Sequence, residues 1–127
     1  MLRNALSKTV YIKVYENRFV LKLLEEGNKP ITIVPSSPFS TARLLVGQFS
    51  AAEQALKKGF KDMLAGRWFM PSPVVVIQPM EKIEGGLAEV EERALRELAL
   101  AAGARQAIVW VGHELSDTEV VRRAHGN

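Results

Sequence analysis

FMPSPVVVIQPMEKIEGGLAEVEERALRELALAAGARQAIVWV, running from Phe69 to Val111, carries the alternation that decides the fold. Val74 to Ile77 is a continuous apolar run behind Pro73, the pattern of a parallel strand covered on both faces. Leu87 to Ala102 then repeats apolar residues at helical spacing, with Leu87, Val90, Ala94, Leu98 and Ala101 as the expected buried stripe and Gly103 placed to end the helix. Ala107 to Val111 is a second continuous apolar run, expected as a central strand with Trp110 in the core beside Val76. Strand, helix and strand in that order make a parallel crossover unit.

Upstream, Val10, Ile12 and Val14 alternate with Tyr11, Lys13 and Tyr15, the period of two of a strand. Asn17 tolerates a left-handed turn, and Phe19 to Leu24 resumes an extended pattern, so residues 9 to 24 read as a hairpin. Gly27-Asn28 makes the next turn and Pro30 to Val34 a third strand, closed by Pro35. Ser50 to Leu64 is a helix, with Ser50 and Glu53 matching a capping box and Leu56, Phe60, Met63 and Leu64 on one face. A last short helix starts at Ser116, where Ser116 and Glu119 form a capping box and Leu115 and Val120 a staple. The order β-β-β-α-β-α-β-α predicts an α/β fold of ribonuclease H-like type: a five-stranded mixed sheet with helices on its faces. All 127 residues are expected in one domain, with 1–8 and 124–127 flexible.

Composition narrows the function classes. Seventeen basic and 14 acidic residues are spread along the chain, so the net charge of +3 marks no nucleic-acid surface. Lys57, Lys58 and Lys61 with Arg67 and Trp68 cluster at a helix end, where basic residues also suit the helix dipole. There is no cysteine, hence no disulfide, thiolate metal site or thiol nucleophile. No apolar run reaches the roughly 18 residues of a membrane span. Met1, Leu2 and Leu6 beside Arg3 and Lys8 are read as a frayed lead-in rather than a membrane anchor, and the chain as cytoplasmic. His113-Glu114 and His125 lack the spacing of a metal site. Gly85-Gly86 sits among Glu81, Glu84 and Glu89, charges that repel an anion at the following helix.

The stretch from 69 to 111 resembles the MreB family of bacterial actins, on Glu92-Arg93-Ala94, on Ala102-Gly103-Ala104-Arg105 and on the two apolar strands. The resemblance is looser over 8–35 and 47–64. It implies the ribonuclease H-like half-domain from which actin-like ATPases are built. In that family the first strand ends in an aspartate-leucine-glycine-threonine motif that organises metal, water and phosphates. Lys13-Val14-Tyr15-Glu16 stands in its place here, and a dozen or so residues between Pro35 and Gly47 replace the family's inserted subdomain. The isoleucine-glutamate-glutamate-proline exit of the last strand becomes Val111-Gly112-His113-Glu114.

These departures point to a non-enzymatic MreB-like domain without cofactor, metal or catalytic residues. It is expected to work through a protein partner, either an actin-like filament or a second copy, in cell shape or cytoskeletal regulation. Leu115, Val120 and Val121 are the candidate partner contacts, because two adjacent valines on one short helix cannot share a core face. The alternatives are a nucleotide-binding regulator or enzyme with a rebuilt site, and a weak nucleic-acid binder.

Overall fold

A computed structural model describes residues 7–25, 29–65 and 71–126. The N-terminal residues Met1, Leu2, Arg3 and Leu6, the Gly27-Asn28 turn, Phe69-Met70, Arg67-Trp68 and Asn127 lie outside them.

Five strands form one mixed sheet: β1 (Thr9–Tyr15), β2 (Arg18–Leu23), β3 (Ile31–Ile33), β4 (Val74–Pro79) and β5 (Gln106–Val109). Their spatial order is β3-β2-β1-β4-β5. β1 pairs antiparallel with β2 and parallel with β4, and β4 pairs parallel with β5. Three helices complete the described residues: α1 (Phe49–Met63), α2 (Glu89–Ala102) and α3 (Asp117–His125). This is the ribonuclease H-like arrangement that the order of elements predicts.

Side-chain alternation divides the molecule into two layers. Val10, Ile12 and Val14 of β1 and Val75 and Ile77 of β4 pack with Leu56 and Phe60 of α1 and Leu95, Leu98 and Ala99 of α2. Tyr11, Val74 and Val76 face the other way, against Leu115, Val120 and Ala124. Among the described residues, helices α1 and α2 therefore cover one face and α3 covers the other. Each fully buried aliphatic side chain contributes roughly 1.5–3 kcal/mol, so the larger layer dominates stability.

The tight β1–β2 turn forms at Asn17, whose φ is 53°. Its side-chain oxygen accepts the amides of Phe39 and Ser40, each at 2.8 Å, and its own amide donates to Ser40 Oγ at 2.9 Å. Phe39 is thereby set under the sheet end, stacked on Phe19 with ring centroids 4.6 Å apart. The residues between β3 and α1 thus form a strap tied to the β1–β2 turn.

Several local expectations need correction. Helix α1 is capped at Gln48 with no side-chain hydrogen bond, so Ser50 and Glu53 form no capping box. Glu53 instead pairs with Lys57 one turn on, at 3.1 Å. Helix α2 begins at Glu89, and its buried residues are Leu95, Leu98 and Ala99. Only Leu98 belongs to the expected stripe; Val90 is 78% exposed and Ala101 is also outside. The two sheet-facing positions 95 and 99 flank 98 at helical spacing, which turns the stripe by about one residue. Strand β5 is an edge strand and half-buried, so Trp110 lies at the rim rather than in a central strand, and Val111 is exposed. A continuous apolar run marks burial of both faces but carries no information on which strand has a second neighbour. Ala124, expected in a flexible tail, is buried in the last turn of α3, and Ser7 is buried ahead of β1.

Candidate functional site

In an open parallel sheet the place for ligand chemistry is outside the carboxyl ends of the strands. Here those ends belong to β1, β4 and β5, and alternation points Tyr11, Lys13 and Gln78 to the α3 side. Gln78 is a fully buried polar residue at the close of the apolar run of β4. It accepts the Tyr11 hydroxyl proton at Oε1, and its Nε2 donates to the carbonyls of Gly112 at 2.8 Å and His113 at 3.1 Å. The Tyr11 hydroxyl in turn accepts the Leu115 amide at 3.0 Å. Burial pushes the Tyr11 phenol above its ordinary range. Every polar atom of this network is thus spent on holding the 112–115 turn against the sheet.

Lys13, near the carboxyl end of β1, reaches Glu114 with Nζ–Oε2 at 2.9 Å. A metal or phosphate there would have to displace one half of an existing ion pair. On the neighbouring turn Glu16 pairs with Lys82 at 3.6 Å, and the Glu16 amide donates to Glu81. Acidic side chains ringing the turn disfavour an approaching phosphate.

The capping box at the start of α3 is present, with Ser116 Oγ accepting the Glu119 amide at 3.2 Å and Glu119 Oε1 accepting the Ser116 amide at 2.9 Å. These bonds, first the backbone one, then that from His113 to the same carboxylate, hold Glu119 below the usual carboxylate range. The His113 ring lies 3.3 Å from Glu119 Oε2, and the Arg123 guanidinium covers Trp110 at 3.7 Å. His125 is elsewhere: its Nε2 is 2.8 Å from the Thr9 hydroxyl, whose proton goes to Glu25 at 2.6 Å. Thr9 is fully buried and its hydroxyl donates to Glu25, whose carboxylate also lies 4.0 Å from His125 Nε2, so the hydroxyl proton points to the acid and not to the imidazole as a base. Among the described residues no group of three or more His, Asp or Glu side chains converges as a metal set.

The three candidate contacts separate. Leu115 and Val120 are buried beneath α3, in the layer with Tyr11 and Val76. Val121 is half-buried and lines an open groove of about 450 Å³ between the exit of β2 and α3. Leu24 and Val121 give the groove its apolar surface; Glu25, Asp117, Arg122 and His125 surround them. Lys22 reaches across to Asp117 at 2.8 Å, tying β2 to the start of α3. Of the basic cluster, Lys57 is paired with Glu53 and Lys58 lines a different groove beside β3.

Tyr11 and Gln78 were not singled out by the sequence, although a glutamine closing a run of four aliphatic residues is the kind of buried polar group that demands partners. The Thr9–Glu25–His125 contact carries no sequence signal, since its members lie up to 116 positions apart.

No protein-family model matches the chain. Over 80 residues it is 31% identical to the cell shape-determining protein MreB of Haemophilus influenzae, covering 63% of this chain but only 21% of that protein. An actin-like relationship is therefore partial in extent. No helix among the described residues is long and apolar enough to cross a membrane. Over 98 residues the chain is 31% identical to the uncharacterized protein YjaA of Escherichia coli (strain K12), covering 73% of this chain and 75% of that protein. With an alignment of that extent, the chain belongs to the family of YjaA.

Proposed function

We propose that this protein is a non-enzymatic binding domain, related to one half of an actin-like fold, that docks an actin-like filament through α3. The observation that carries the reading is the Lys13–Glu114 ion pair at the strand ends. A cation stands where metal-directed catalysis needs a carboxylate, and it neutralises the nearest candidate replacement. Val121 supplies the docking residue, since it is the apolar position of α3 left at the surface beside a groove. MreB is named for determining cell shape, and the partial similarity to it supports a regulatory role in that process.

Co-pelleting with polymerised MreB tests this directly. The parent protein should sediment with filaments, and Val121→Asp should stay in the supernatant while keeping the parent's far-UV spectrum. A parent protein that never pellets, or a Val121→Asp variant that pellets equally, removes the reading.

A further inference from the structure

On the opposite edge of the sheet from β5, a second groove of about 390 Å³ separates β3 and the residues after it from α1. One wall carries Thr32, Ile33 and Val34; the other carries Ala51, Ala55, Lys58 and Asp62, which fall on one stripe of the helix. Val34 is 73% exposed, although it stands directly beside this groove. We infer that this face is a self-association surface, at which a second copy of the chain packs its α1 antiparallel to the first.

Charge arrangement selects that occupant. Lys58 and Asp62 are four residues apart on one face, yet neither has an ion-pair partner among the described residues. The pairs Glu53–Lys57 and Glu92–Arg96, at the same spacing, do form. They differ in polarity: their acid precedes their base, the orientation that suits a helix, whereas Lys58 precedes Asp62. Asp62 also lies in the last turn of α1, at the negative end of the helix dipole. This exposed carboxylate thus stands where its own helix disfavours it and is open to a cation from a second copy.

A two-fold axis across the groove supplies one. With two α1 helices antiparallel, Lys58 of each copy faces Asp62 of the other, so two exposed charges per chain become two ion pairs per dimer. The exposed Val34 of each copy then enters the groove of its mate. Pro30 and Pro35 bracket the three-residue β3, which blunts strand addition and leaves helix packing as the mode of contact. This surface is distinct from the α3 groove and does not depend on it.

Sedimentation of the intact protein over a range of concentrations, with charge-reversed variants, tests the inference. The parent should show a reversible monomer–dimer equilibrium. Lys58→Asp and Asp62→Lys should each raise its dissociation constant at least about tenfold. An equimolar mixture of the two should recover the dimer, because one chain then carries two acids and the other two bases. Val34→Asp should also yield monomers, whereas Val121→Asp should associate as the parent does. A far-UV spectrum matching the parent's is required of each variant; if a charge reversal unfolds, Lys58→Gln and Asp62→Asn replace it, with weaker association expected. A monomeric parent, charge variants that associate normally, or a mixture that stays monomeric would each overturn the inference.

Discussion

Lys13 and Glu114 are 101 positions apart in the chain and meet as an ion pair with Nζ 2.9 Å from the carboxylate, at the carboxyl end of β1. Their side chains are 20% and 56% exposed, so water screens the attraction and the pair is worth at most about 1 kcal/mol. Its consequence is chemical rather than energetic, because it removes a free carboxylate from the strand ends.

Magnesium and ATP should therefore leave the melting temperature unchanged. A ligand present at about 100 times its dissociation constant would add about 2.7 kcal/mol to native stability, which differential scanning fluorimetry detects easily. Lys13→Met should alter stability by no more than about 1 kcal/mol and should not create nucleotide binding. A magnesium-dependent rise in melting temperature would show that a phosphate site exists elsewhere in the fold.

The Tyr11 hydroxyl predicts an alkaline transition. Its folded-state pKa lies above the ordinary 10.0, so the fold favours the neutral phenol. That contribution is complete below pH 10 and is lost as pH rises from there through the folded-state value. Tyr11→Phe should flatten this pH dependence. At neutral pH it should cost about 1–3 kcal/mol, because Gln78 Oε1 and the Leu115 amide lose their partner. Urea melts at neutral and alkaline pH give both quantities. Equal pH dependence in the two proteins would place the alkaline transition at another group.

The register of α2 can be measured by a pair of substitutions. Leu98→Ala should cost about 2–5 kcal/mol, since Leu98 is fully buried. Val90→Ser should change stability by no more than about 0.5 kcal/mol. The reverse order in urea unfolding would restore the stripe that runs through Val90.

Asn17 ties the β1–β2 turn to the strap before α1. Asn17→Ala should destabilise by about 1–3 kcal/mol, losing the bonds to the Phe39 and Ser40 amides while straining a left-handed residue. Asn17→Asp keeps the acceptor and should cost less. Hydrogen exchange of the Phe39 and Ser40 amides should accelerate in the alanine variant before that of β4. Unchanged protection would mean that the Phe19–Phe39 stack alone holds the strap.

By itself the sequence determined the order of the elements and the sheet they build. Period-two alternation in β1, two short apolar runs and the helical repeats between them are local patterns, set by which residues must leave water. The Ser116 capping box and the Asn17 turn were legible for the same reason: each is complete within four or five neighbouring positions. Only the tertiary structure decided which strands lie at the edge, since an apolar run reads alike with one neighbour or two. It likewise decided that Val121, not Val120, is left at the groove, because helix rotation is set by the layer beneath. Lys13 meeting Glu114, Tyr11 meeting Gln78 and Thr9 meeting His125 depend on β1 lying centrally, beside β4 and under the residues from the 112–115 turn to the end of α3. Contacts over such separations follow from the folded path of the chain, which no local pattern encodes.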